Sequence, residues 1–215
     1  MIRVSVLTPT YNRSNYLLRL WKSLQESTFK EFEWIIVDDG STDDTAEVCK
    51  KMMESEKDFS IRYEYQSNQG KHVAFNHLVD MARGEYIMQI DDDDAILPNA
   101  IQDGLEAWDS MSEEKRQQYW CVCAPCIDGD TKDAGKLPTN INNLSKKEQK
   151  KIAREVKYET CSLRRLDYQK EFLFPVIEGV KFIPESTIAE QLDDKYDRFY
   201  INSNFIAYYQ HGGNV

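Results

Sequence analysis

No stretch of this sequence approaches the roughly 20 consecutive apolar residues that a helix needs to cross a bilayer. Its opening, MIRVSVLTPTYN, has no basic segment leading into an apolar one. The expectation is a cytoplasmic protein, with contact to the inner face of a membrane peripheral at most. Positive charge is also short: 27 basic residues stand against 37 acidic ones, a net charge of −10. Such a balance repels a polyanion and argues against nucleic acid as a partner. Glycine-rich phosphate loops are missing too, since neither GxGxxG nor GxxxxGK occurs. Five cysteines, an odd number, fit free thiols in a reducing compartment better than a disulfide framework. Cys121, Cys123 and Cys126 lack a second Cys/His pair at finger-like spacing, and YWCVCAPC reads as a buried strand rather than a zinc site.

What is present suffices for one sizeable core: 215 residues, 41% hydrophobic and 30% charged. VSVLT (Val4 to Thr8) and EWIIVDD (Glu33 to Asp39) are short, β-branched-rich runs of the kind buried on both faces of a parallel sheet. Between them Leu17, Leu20, Trp21 and Leu24 recur at helical spacing, with Ser14 as the expected N-cap. Ser41 with Asp44 resembles a capping pair opening a helix toward Met53, and IRYEYQ (Ile61 to Gln66) reads as a strand. A helix is expected from about His72 to Arg83, stopped by Gly84, before the strand EYIMQI (Glu85 to Ile90). This is a β-α-β-α-β-α-β order, and ligands of open α/β sheets bind beyond the carboxyl ends of the strands. TPTYNR, DDGSTDD and DDDD all emerge at that edge.

The run Asp91 to Asp94 puts four carboxylates together directly after an apolar strand. Like charges this close resist full ionisation unless something positive sits among them. An EF-hand loop beginning at Asp91 would place Ala95, Ile96 and Gln102 at its fifth, sixth and twelfth positions, where a ligand, a glycine and a glutamate are required. Two readings stay open: a solvated acidic turn, and a divalent ion held by one or two carboxylates together with the phosphates of a nucleotide.

VSVLTPTYNR, WIIVDDGSTDDT, NQGKHVAFN, ARGEYIMQIDDDD and YYQHGGNV, in this order and spacing, resemble the family 2 glycosyltransferases. The resemblance covers most of the chain. It implies the α/β A-type glycosyltransferase fold, a Rossmann-like, mostly parallel central sheet flanked by helices. It also implies inverting sugar transfer from a nucleotide diphosphate donor, most naturally UDP-linked, with Mn2+ or Mg2+ as cofactor. Carried over residue by residue, Pro9, Thr10, Tyr11, Arg13 and Asp39 would hold base and ribose, while Asp38 shapes the pocket. Asp91, Asp92 and Asp93 would form the DxD motif, with Asp93 on the metal and Asp91 facing the ribose or the metal, and the register within Asp91 to Asp94 is open by one residue. Phe75 stands where the family commonly has arginine, which leaves Lys71 to approach the diphosphate. Glu185 in GVKFIPESTIAEQL is the implied catalytic base, with Glu178 as the other candidate, and the family's paired acid is missing there. His211 would approach the metal or diphosphate.

The expected layout is one domain over 1–215: a nucleotide-sugar-binding half over 1–98, and an acceptor-binding half over 99–215 with a mobile loop over about 128–144. The chain stops within the HGGNV motif, so a longer natural protein is expected. Beyond a helix from Ile101 to Met111, Asp128 to Asn143 has little to bury. Ser145 and Glu148 form a capping signature for a helix to Lys157 that carries Lys146, Lys147, Lys150, Lys151 and Arg154. That face reads first as solvated, and otherwise as a contact for a phosphorylated acceptor or an anionic membrane. The expected acceptor is a glycan, free or lipid-linked. The rival readings are a non-catalytic nucleotide-sugar-binding module and a nucleotidyltransferase, the latter disfavoured because TPTYNR has no glycine.

Overall fold

The computed structural model describes residues 2–155 and 159–209, Ala153 and Arg154 by their backbone only. In chain order the elements of the first half are β1 (Val4–Thr10), α1 (Ser14–Gln25), β2 (Phe32–Asp38), α2 (Thr45–Ser55), β3 (Ser60–Tyr65), α3 (Lys71–Met81), β4 (Tyr86–Gln89) and β5 (Ala95–Ile96). There follow α4 (Ala100–Asp109), α5 (Glu113–Arg116), β6 (Tyr119–Pro125), β7 (Ile127–Asp128), a 3-10 turn (Ile141–Asn143) and α6 (Lys146–Glu155). The chain then adds β8 (Thr160–Arg165), α7 (Leu166–Glu171), α8 (Ser186–Lys195), β9 (Asp197–Tyr200) and β10 (Ile206–Tyr208). Among the described residues a seven-stranded sheet has the order β3-β2-β1-β4-β8-β6-β9, with a small sheet β5-β10-β7 beside it. β8 pairs antiparallel with both β4 and β6, and the other neighbours in the large sheet pair parallel.

Alternation along the buried strands feeds two cores. Val4, Val6, Trp34 and Ile36 face α1, α2 and α4 through Leu17, Leu20, Met52, Leu105 and Trp108. Leu7, Ile35 and Val37 face α3, α7 and α8 through Phe75, Leu78, Leu166 and Leu192. Every residue of β1 and β2 is buried, which is why these strands read as continuous apolar runs rather than as alternating ones. β1 lies between β2 and β4, so the chain leaves β1 in one direction and returns on its other side. That reversal opens a crevice at the carboxyl ends of β1 and β4.

The strand YWCVCAP is buried as expected. Several local expectations are corrected. Ser14 is not an N-cap but the first residue of α1, and its amide donates to Asp43 Oδ2 at 3.2 Å. Ser41 and Asp44 do not form a capping pair. Asp43 receives the Thr45 amide at 3.1 Å, while Ser41 Oγ receives the Asn12 amide at 2.7 Å. A single aspartate thus ties the starts of α1 and α2 together, a contact no local pattern announces. α3 ends at Met81, ahead of Gly84. Gly84 answers a packing need instead: a Cβ there would lie 2.7 Å from the Ser5 amide nitrogen.

The segment after β7 buries more than its composition suggested. Leu137 and Ile141 are in the core, Leu137 exchanges backbone bonds with the Asn202 amide, and Asn142 does the same for Tyr200. Ser145 and Glu148 do cap α6, with Ser145 N to Glu148 Oε2 at 3.0 Å and Glu148 N to Ser145 Oγ at 3.4 Å. Its lysines are only partly solvated, because Lys146 pairs with Asp197 at 2.8 Å and Lys150 with Asp193 at 3.4 Å. The expected extension to Lys157, the Arg154 side chain and His211 lie outside the described residues.

Candidate active site at the carboxyl edge of the sheet

The loop after β1 owes its shape to Asn12, which takes a left-handed backbone (φ 52°) tolerated by asparagine. Asn12 Oδ1 receives the Thr42 amide at 2.8 Å, fastening this loop to the one after β2. Arg13 is thereby aimed across the crevice at the aspartate run. Its Nη1 lies 3.2 Å from Asp92 Oδ1 and 2.7 Å from Asp93 Oδ2, and Thr10 Oγ1 donates to Asp92 Oδ2 at 2.7 Å. Arg19 donates to the Asp93 carbonyl. On the other side, Lys71 at the start of α3 sits 2.8 Å from Asp91 and 2.9 Å from Glu185 Oε1. Gln89, the last residue of β4, donates to that same Glu185 oxygen at 2.9 Å. The question raised by four adjacent carboxylates has a direct answer: Arg13 and Lys71 interleave them with positive charge.

The electrostatics follow. Burial costs Lys71 its proton affinity, but Asp91 and then Glu185 outweigh it and hold the ammonium firmly charged. Burial raises the Glu185 carboxyl, yet the Lys71 charge, aided by Arg164 and by the Lys71 and Gln89 hydrogen bonds, leaves it below the usual glutamate value. Asp92 is pushed up to about 6 by burial, against the pull of Thr10 and Arg13. Asp94 is pushed up to about 7, by burial first and then by Asp91 and Asp93. The acidic turn therefore carries less than its full negative charge near neutrality.

Asp39 is buried and turned toward the loop before α3: its Oδ1 receives the Gln69 amide at 2.8 Å and its Oδ2 the Gly70 amide at 2.7 Å. Asp38 receives the Tyr63 hydroxyl and the Ser41 amide, both at 2.8 Å. Pro9 lies within β1 opposite Val37, and Tyr11 is 47% exposed beyond the strand end rather than packed under the sheet. Glu178 is exposed in the turn before Gly179 and has no part in the Lys71 pairing that joins Glu185 to Asp91.

Three residues at this edge were not singled out from sequence. His72 is 2% exposed, and both its ring nitrogens lack a hydrogen-bond partner among the described residues. Gln89 and Arg164 reach Glu185 from β4 and β8. His72, adjacent to Lys71 in NQGKH, offered the one available signal, a polar residue beside a cation at a helix start. A cavity of about 380 Å³ lies here, lined by Lys71, His72, Gln89, Asp91, Phe182 and Glu185 among others.

Among the described residues no three His, Cys, Asp or Glu side chains gather as a closed metal cage. Asp91 and Asp93, with side chains 42% and 19% exposed, suit a different mode. A hard cation such as Mg2+ is held by one or two carboxylates and completes its shell with phosphate oxygens and water.

The open α/β sheet, with acidic and basic side chains crowded at its switch point, has the A-type glycosyltransferase fold. The chain belongs to the family described as "Glycosyl transferase family 2", whose sequence pattern matches residues 5–172. Among solved structures, S. aureus TarS is similar with a TM-score of 0.70 at 19% identity, over 97% of this chain and 37% of that one. TarS has also been solved with UDP and with UDP-GlcNAc. The mannosyltransferase PcManGT from Pyrobaculum calidifontis, in complex with GDP-Man and Mn2+, gives a TM-score of 0.66 at 18% identity, over 94% of this chain and 55% of that one. The Campylobacter jejuni GalNAc(5)-diNAcBac-PP-undecaprenol beta-1,3-glucosyltransferase is 38% identical over 129 residues, 59% of this chain and 39% of that protein. The chain spans less than half the length of the curated relatives it matches. No described helix is long and apolar enough to cross a membrane.

Proposed function

We propose that this domain transfers a sugar from a UDP-linked donor to an acceptor hydroxyl, with inversion at the anomeric carbon and with Glu185 as the base. The observation that carries the reading is the meeting of Arg13, Lys71, the aspartate turn and Glu185 around one crevice. Residues 1–98 supply the donor side and residues 99–215 the acceptor side. Thr10, Tyr11, Arg13 and Asp39 line the nucleoside end, and the UDP complexes of TarS support a uridine donor. Asp39 recognises it in part indirectly, by setting the loop that ends in Gly70 and Lys71.

Asp91 and Asp93 would hold Mn2+ or Mg2+, and the ion, when bound, neutralises charge on the departing diphosphate. Lys71 does related work from the protein itself. An ammonium shared by two carboxylates is drawn toward a third, stronger anion, so a diphosphate in the crevice competes with Glu185 for it. Glu185 then regains basicity as its counter-charge moves away, and takes the acceptor hydroxyl's proton. Arg13, spanning Asp92 and Asp93, keeps the aspartate turn in place throughout.

The test is calorimetric titration with UDP, with and without MnCl2, on the wild type and on Asp93→Ala. Metal-dependent binding that disappears in Asp93→Ala is the expected result. UDP, GDP and dTDP all failing to bind in the presence of metal overturns the reading. Glu185→Gln should keep its UDP affinity and lose turnover about 10²–10⁴-fold. Equal turnover in both proteins removes Glu185 as the base.

A further inference from the structure

A second cavity, of about 150 Å³, lies beside the first and shares Phe75, Gln89, Phe174 and Glu185 with it. The Gln89 to Glu185 hydrogen bond therefore belongs to both, with Lys71 and Asp91 lining the larger and Arg164 and Arg198 the smaller. At the share of about 30 Å³ that each water takes in the liquid, the smaller cavity has room for roughly five waters. That accommodates a charged group and part of the ring bearing it.

The two arginines in this cavity are in different states. Arg198 is spent: its Nε and Nη2 meet the two oxygens of the buried Asp193 at 2.7 and 3.0 Å. Asp193 also receives the Trp120 indole at 3.1 Å. Arg164 meets only neutral acceptors, Ser162 Oγ at 2.9 Å and Gln169 Oε1 at 3.4 Å. Among the described residues no carboxylate pairs with it. Its guanidinium stands 5.8 Å from the ring centres of both Phe75 and Trp120, which hold it in place without neutralising it. Glu185 across the cavity feels its charge but makes no hydrogen bond or ion-pair contact with it. A fixed, half-buried guanidinium with no carboxylate in contact is a receptor for a planar or tetrahedral oxyanion, and the hydroxyls of Thr160 and Ser162 line the same space.

Building on the proposed transfer reaction, we propose that this cavity is the acceptor's anchoring site, and that Arg164 grips an oxyanion carried by the acceptor, a carboxylate or a phosphate. An acceptor held this way presents a neighbouring hydroxyl to Glu185, which forms part of the same wall. The site selects acidic glycans over neutral ones, and the selection rests chiefly on Arg164 because the Arg198 fork is already engaged by Asp193.

The test uses the 215-residue chain saturated with UDP and Mn2+, so that Arg13 and Lys71 are engaged before any other anion is added. Sodium glucuronate, inorganic phosphate and glucose are then titrated separately at constant ionic strength, into wild type, Arg164→Gln and Arg164→Lys. The expected result is that glucuronate or phosphate binds the wild type at least tenfold more tightly than Arg164→Gln, and that glucose does not discriminate between them. Arg164→Lys falls between, because it keeps the charge and loses the fork. Binding of glucuronate alone identifies a carboxylate acceptor, and of phosphate alone a phosphorylated one. Anion affinity equal in wild type and Arg164→Gln overturns the proposal, and so does a wild type that takes up UDP and neither anion. UDP affinity, measured first in each protein, reads the donor site separately. If UDP, GDP and dTDP all fail to bind, the transfer reading fails, and the anion titrations on the nucleotide-free proteins still decide the role of Arg164.

Discussion

The two ends of the central strands hold buried carboxylates in opposite ways. At the amino end, Glu33 on β2 is fully buried and fully answered: Ser5 Oγ at 2.7 Å, the Arg83 amide at 2.9 Å and Arg62 at 3.1 Å. At the carboxyl end the aspartates share Arg13, Arg19 and Lys71, and Lys71 divides itself between Asp91 and Glu185 while 40% exposed. The first arrangement closes on itself and leaves nothing for a ligand. The second is balanced but open, so an added cation and an added polyanion can both enter it by exchange. Charge burial alone does not mark a functional site; unfinished pairing at a crevice does.

The sharpest way to break this contrast is Glu33→Ala. It strands Arg62 and two further donors, and should cost about 3–5 kcal/mol of stability by urea denaturation, with UDP affinity of the folded protein unchanged. Gly70→Ala comes next, because it touches both stability and site. Gly70 has φ 102°, and a Cβ there would collide with the Lys181 carbonyl. A loss of about 1–3 kcal/mol is expected, with weaker UDP binding because the Gly70 amide orients Asp39.

Third is the pH response of the metal-free protein. Burial and the neighbouring Asp91 and Asp93 push Asp94 up to about 7 in the folded protein, well above the ordinary aspartate value, so the folded state keeps this proton to higher pH than the unfolded chain does. Its contribution to stability is full below about pH 4 and is lost as pH rises through 7. Asp94→Asn, neutral throughout, should flatten the decline in melting temperature between pH 5 and pH 8, an effect on the order of 1 kcal/mol. The smallest effect belongs to Asp109→Asn, which breaks the exposed Arg3 pair at the amino end. Less than about 1 kcal/mol should be lost, and less again at high salt.

Local chemistry was legible where one segment carries the whole cause. Val4 to Val6 and Trp34 to Val37 announce buried strands because parallel strands packed on both faces need apolar side chains without interruption. Ser145 and Glu148 announce the cap of α6 because both partners lie within one turn. The same logic failed for Ser14, whose amide is answered by Asp43 from another loop, and for 128–144, where the Leu137 backbone and the Asn142 side chain find Asn202 and Tyr200 far along the chain. The candidate site divides similarly. The aspartate turn and Lys71 stand out in sequence, whereas Gln89 meets Glu185 across 96 positions and Arg164 reaches the same carboxylate from β8.

The sequence by itself determined the sheet's parallel half, the edge where its loops gather and the accumulation of acid there, because each follows from short-range periodicity and strand-to-loop order. Only the tertiary structure decided which cations answer those acids, that Lys71 is shared and Glu33 is not, and that one of two neighbouring arginines touches no carboxylate. Pairing energy falls off within a few ångströms, and which groups come that close is set by packing between distant segments.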